Sequence, residues 1–135
     1  MLKSYHGRCH CGGVELTAEF DLDAGTEKCN CTYCRRVRLW SARTAPEQVR
    51  VTSGEEVLTD YCLRMPNVHH FFCSRCGVHM YDRIDPPNML NASYCNVNLA
   101  CLDDLSVEDW VTAPIAFVDG LHDHWERTPG EARHL

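Results

Sequence analysis

The sequence predicts a mainly β fold with short helical insertions. Short stretches alternate apolar and polar residues, turn-forming residues separate them, and pairs of cysteines sit where tight turns are expected. In chain order, residues 14–20 (VELTAEF) alternate as a half-buried strand should. Residues 32–40 follow a cysteine cluster and form a candidate helix with Thr32 as its N-cap. Residues 48–52 and 57–63 bracket Ser53, Gly54 and Glu55, a turn between two further strands. Residues 68–72 and 78–81 flank Cys73 to Gly77, which reads as a hairpin pinched at its tip by a metal knuckle. Residues 89–96 form another candidate strand. Residues 102–110 contain a short helix capped at Ser106, with Asp109 three residues on, and residues 114–118 return to strand.

At 135 residues and 44% hydrophobic, the chain fits one domain, residues 1–135, that buries roughly two thirds of the surface exposed on unfolding. Such a core needs no cross-links. Residues 1–13 hold no apolar run of the kind a signal peptide carries, and no segment approaches the ~20 apolar residues that span a bilayer. A cytoplasmic chain with reduced thiols is therefore expected. The net charge of −6 comes from scattered acids, which argues against nucleic-acid or membrane partners. Arg35, Arg36 and Arg38 make the one basic cluster.

Ten cysteines are many for such a chain. They fall as Cys9-x-Cys11, Cys29-x-Cys31-x-x-Cys34, Cys73-x-x-Cys76, and three singletons, Cys62, Cys95 and Cys101. Disulfides require an oxidising compartment, and a Cys-x-Cys pair closes only through a strained ring, so metal ligation is the better reading. Phe72-Cys73-Ser74-Arg75-Cys76-Gly77 is a zinc knuckle: two thiolates grip one tetrahedral ion while Gly77 supplies a positive φ. A knuckle gives half of a four-cysteine site, and Cys9 and Cys11, followed by two glycines, supply the other half. Four protein ligands leave no open vertex, so this site is read as structural.

Cys29, Cys31 and Cys34 place three thiolates within six residues. Three protein ligands plus a water or substrate is the catalytic arrangement of zinc. Three thiolates on Zn²⁺ leave a net negative charge, which the arginine cluster and the N-terminus of the expected helix would offset. Should Cys62, Cys95 or Cys101 fill the fourth vertex, the site is closed instead, and both outcomes remain open from sequence.

Taken together, Gly7-Arg8-Cys9-His10-Cys11-Gly12-Gly13, Cys29-Asn30-Cys31-Thr32-Tyr33-Cys34-Arg35-Arg36 and Phe72-Cys73-Ser74-Arg75-Cys76-Gly77 resemble the glutathione-dependent formaldehyde-activating enzymes and the related centromere protein V. The resemblance covers nearly the whole chain. It implies a β-tent of twisted antiparallel sheets stapled by zinc, with two Zn²⁺ per chain. It assigns Cys9, Cys11, Cys73 and Cys76 to the structural zinc and Cys29, Cys31 and Cys34 to the catalytic one. The implied activity is that of a carbon–sulfur lyase, joining a thiol such as glutathione to formaldehyde or a related small electrophile as an S-(hydroxymethyl) adduct, or cleaving it.

Addition of a thiol to an aldehyde needs a proton at the new alkoxide. Tyr33 is the donor within the motif, and His10, His69, His70 and His79 are candidates on neighbouring elements. The stretch from Phe117 to Trp125 resembles the family segment that approaches the substrate opening. Its His122 and His124 are read as a polar surface loop with Trp125 packed back on the sheet, and Trp40 and Trp110 as core. A non-catalytic zinc-binding interaction module is the alternative function, and a thiol redox sensor a third.

Overall fold

Alternation along β2 (Glu15–Phe20) sends Leu16, Ala18 and Phe20 to one face, where all three are buried, and the opposite side chains outward. The structure, a computed structural model, describes residues 1–62 and 64–135; Leu63, the last residue of the strand expected over 57–63, lies outside the described residues. β2 is flanked on one side by β1 (Lys3–Arg8) and on the other by β5 (Val49–Ser53), giving a three-stranded antiparallel sheet.

The larger sheet has seven strands: β3 (Thr26–Cys29), β4 (Ser41–Thr44), β6 (Leu58–Tyr61), β7 (Val68–Cys73), β8 (His79–Ile84), β9 (Tyr94–Asn98) and β10 (Ile115–Val118). Their order is β10-β3-β4-β9-β8-β7-β6, antiparallel throughout except for the parallel pair β10 and β3. Leu16, Ala18 and Phe20 join Ala42, Met80, Val97 and Leu99 in one apolar cluster, so the inner face of the small sheet and residues of the large one share a core. The mainly β expectation holds. No helix among the described residues is long and apolar enough to cross a membrane.

Two helical turns interrupt the strands. α2 (Val107–Thr112) has the cap the sequence predicts: Ser106 Oγ accepts a hydrogen bond from Asp109 N at 3.0 Å. α1 covers only Cys34–Val37, not residues 32–40. Tyr33 rather than Thr32 precedes it, with no side-chain cap, and Arg38 ends it in the left-handed region at φ 55°. The chain must turn there because the next residue, Leu39, is buried. A single turn has few aligned peptide dipoles, so the expected helix-terminal contribution to the cysteine loop is slight.

The turn expected at residues 53–55 exists, but β5 and β6 on its two sides belong to different sheets. Gly54 adopts φ 85°, and a Cβ built there would stand 1.8 Å from the Gly13 carbonyl oxygen. The crossing from one sheet to the other thus presses directly on the turn that carries Cys9 and Cys11. Gly77 has a similar φ of 77° but open space around it. Gly54→Ala is therefore expected to cost about 3 kcal/mol or more and Gly77→Ala about 1 kcal/mol. Chemical denaturation of the two variants measures the difference.

Candidate functional site

The β1–β2 turn and the β7–β8 turn meet. Cys9, Cys11, Cys73 and Cys76 bring their sulfurs within 4.8 Å of one another. Cys9 and Cys11 Sγ are 3.6 Å apart, and Cys11 and Cys73 Sγ are 3.7 Å apart. Zinc–sulfur bonds of ~2.3 Å in a tetrahedron give an edge of about 3.8 Å, so the donors and their spacing fit a tetrathiolate metal. Val14 N and Gly13 N donate to Cys9 and Cys11 Sγ at 3.2 and 3.4 Å. Cys9 and Cys73 are buried, while Cys11 is exposed. A cavity of about 510 Å³ opens beside this cluster along Arg8, His10 and Asp103.

Cys29 ends β3, and Cys31 and Cys34 follow on the loop entering α1; their three sulfurs also lie within 4.8 Å of one another. Among the described residues no fourth side chain joins them. Cys95 is buried in β9, and Cys101 donates to the His79 carbonyl at 3.3 Å. Cys62 belongs to a different group with Asp60 and His69. Backbone N–H groups of Cys31 and Cys34 donate to Cys29 and Cys31 Sγ, both at 3.3 Å. The strongest influences on these thiols are one another: hydrogen bonds from Cys29 and Cys34 pull the Cys31 thiol well down, Cys31 pushes Cys29 up, and Cys29 followed by Cys31 pushes Cys34 up. One thiolate supported by two thiols is a ready seat for a soft or borderline cation. The arginines take a smaller part than expected. All three are exposed, with Arg36 bonded back to Thr32 O at 2.7 Å and Arg38 to His134 O at 2.5 Å.

Beside this loop lies a polar network of four side chains. Tyr33 Oη and His79 Nδ1 are 2.9 Å apart, and the Tyr33 ring stacks on His70 with centroids 3.6 Å apart. His70 Nδ1 lies 2.6 Å from Asp82 Oδ1, and His79 Nε2 lies 3.2 Å from the same oxygen without the alignment of a hydrogen bond. Burial alone would raise the Asp82 carboxyl, but the two imidazoles outweigh it and hold the group below its ordinary range. Burial, then the Asp82 charge, pushes the Tyr33 hydroxyl well above its usual value, so it keeps its proton. Of the candidate histidines, His70 and His79 thus meet Tyr33. His10 lies at the cavity by the other cysteine cluster, and His69 faces the opposite side of β7. Asp82 escaped sequence reasoning; three residues from His79, it would face away from it on a regular strand, and only the pairing shift at Phe71 and Phe72 brings the two together.

The segment after β10 borders the same loop. Asn30 donates to Asp119 Oδ1 at 2.8 Å and accepts from Leu121 N at 2.9 Å. A Cβ on Gly120 would stand 2.6 Å from Cys29 Sγ and 2.7 Å from the Trp125 ring, so both side chains close on that glycine. His122 is held by Asp119 at 2.9 Å, and both His122 and His124 are exposed, as a surface loop requires. Trp40 and Trp110 are half-buried against the core, with ring centroids 5.1 Å apart.

These features have relatives. The family profile described as glutathione-dependent formaldehyde-activating enzyme matches residues 4–117. The chain belongs to that family. A Colletotrichum graminicola protein, provisionally named a glutathione-dependent formaldehyde-activating enzyme, is 36% identical over 90 residues, covering 60% of this chain. The match spans 44% of that relative's length. The crystal structure of a Rhodobacter sphaeroides protein superposes with a TM-score of 0.68 at 30% identity, covering 82% of this chain and 99% of the other. The match with a solved structure supports the two-sheet architecture, and the family profile takes in all three cysteine groups.

Asn30 ties the three-cysteine loop to the segment that caps it. Asn30→Ala removes two hydrogen bonds, one buried and one partly buried, and is expected to cost about 2 kcal/mol. Hydrogen exchange should quicken selectively at Leu121 and its neighbours, and unchanged protection there would contradict the clamp.

Proposed function

We propose that the chain is a zinc-dependent carbon–sulfur lyase-like enzyme that forms or cleaves the S-(hydroxymethyl) adduct of a small thiol, such as glutathione, with formaldehyde or a related electrophile. It binds two Zn²⁺, one at Cys9, Cys11, Cys73 and Cys76 as a staple and one at Cys29, Cys31 and Cys34. The observation that carries this reading is the three-cysteine group with no fourth partner among the described residues, next to a half-buried tyrosine that retains its proton.

A zinc ion held by Cys29, Cys31 and Cys34 would supply Lewis acidity and favour the thiolate form of a thiol at its remaining vertex. The chain's own residues do the rest. In the synthetic direction the thiol sulfur forms its bond to the aldehyde carbon, and the C=O π pair moves to oxygen. Tyr33 gives its hydroxyl proton to that oxygen, and the proton released by the thiol returns to Tyr33 through His79, whose Nδ1 is 2.9 Å away. Asp82 orients His70 and His79, and the His70 ring fixes the plane of the phenol. Gly120, having no side chain, lets the C-terminal segment and the Trp125 ring approach Cys29 closely. Cleavage runs the same steps backwards.

Protein purified without chelators or added metal should carry two zinc ions, one for each cysteine-only cluster. Cys31→Ser should fold and lose one, whereas Cys76→Ser should fold poorly. Tyr33→Phe should keep both metals yet form or cleave the adduct about 10²-fold more slowly. A wild-type chain with one zinc, or a Tyr33→Phe variant of full activity, would contradict the proposal.

A further inference from the structure

A third group of ligand types sits on the far side of the large sheet. Asp60 and Cys62 are two residues apart at the β6 edge, so their side chains leave the same face. The β6–β7 register pairs Tyr61 with His70, which sets Cys62 opposite His69 one step further along. Asp60, Cys62 and His69 accordingly bring a carboxylate oxygen, a sulfur and an imidazole nitrogen within 4.8 Å of one another. The adjacent residue His70 points the other way, onto Tyr33, so the sheet separates this group from the three-cysteine loop.

We infer that Asp60, Cys62 and His69 form a third metal site, for a divalent cation of borderline character such as Zn²⁺ or Co²⁺. The donor set is one that such ions accept, and thiolate plus carboxylate exactly balance a charge of +2, leaving room for water at a fourth vertex. The imidazole is already oriented. Its ring lies nearly parallel to that of Phe71, at 14° and 6.1 Å between centroids, and its Nε2 stands 3.7 Å from Asp85 Oδ2. Asp85 is itself held by Ser93 at 2.6 Å and Arg83 at 3.0 Å, which places a carboxylate in ion-pair range of His69, too far for a hydrogen bond. His69 Nδ1 and Asp60 Oδ2 lie at hydrogen-bond distance, 2.7 Å, with a proton between them. A cation replacing that proton needs the two atoms about 3.3 Å apart, a small rotation for a carboxylate whose side chain is 38% exposed.

With one sulfur in place of three or four, this site fills only when metal is supplied. The test is equilibrium dialysis of the purified chain against micromolar Zn²⁺, counting bound zinc in the wild type, Cys62→Ser and His69→Ala, with circular dichroism to confirm that each is folded. Neither variant touches the two cysteine-only clusters, so their metals cancel in the comparison. Each variant is expected to bind one zinc fewer than the wild type. In parallel, Co²⁺ added to the protein as purified, before any dialysis against zinc, should produce a sulfur-to-cobalt charge-transfer band that Cys62→Ser lacks. Equal zinc content in the wild type and either folded variant would overturn the inference, whether or not the chain proves to be a lyase.

Discussion

Four sulfurs converging between two turns constrain the whole molecule. Cys9 and Cys11 lie beyond β1, in the small sheet, and Cys73 and Cys76 at the tip of the β7–β8 hairpin, in the large one. Thiolates 3.6 to 3.7 Å apart repel strongly in partly buried surroundings, so the arrangement needs protons or a cation between them. A cation does more than neutralise, because it fixes the turns in direction as well as distance. Gly54 presses its backbone on the Gly13 carbonyl from the crossing strand, so the same corner also locks β5 to β6. The shared apolar cluster around Leu16, Phe20, Met80 and Val97 can fill only when the two sheets are held in that relation.

The second cysteine group depends on that frame without being part of it. Its sulfurs come from one loop, but everything that gives the loop chemistry comes from elsewhere. Tyr33 rests on His70 from β7, meets His79 from β8 and faces Asp82 from β8, while Gly120 and Trp125 arrive from the C-terminal segment. A buried carboxylate shared by two imidazoles is stable only if both histidines keep their places, which makes the β7–β8 register a condition of the site. The bulge in that hairpin between Phe71 and Phe72 alters the pairing next to His79.

Legibility in the sequence follows from which interactions are local. The cysteine clusters were readable because metal geometry imposes short fixed spacings, and β2, the knuckle hairpin and the Ser106 cap were readable because each is a local pattern. β1, β3 and β4 were not, since KSYHGR, TEKC and SART carry little apolar alternation and gain their order from pairing with neighbours. The helix expected over residues 32–40 shrank to one turn because Leu39 is needed in the core. The strand expected over 89–96 instead spans Tyr94–Asn98, after a turn in which Asn91 takes φ 50°. The Tyr33 network and the Asp60, Cys62, His69 group both arise from cross-strand register, which no single stretch of sequence displays.

On this reading the Cys29, Cys31, Cys34 loop holds a metal with one vertex free for a thiol. X-ray absorption at the zinc edge, recorded on the chain as purified and again with a saturating small thiol, reads that vertex. A shell of sulfur plus a light atom is expected, with the light-atom component lost when the thiol is added. An all-sulfur shell that the thiol leaves unchanged would rule out a free vertex.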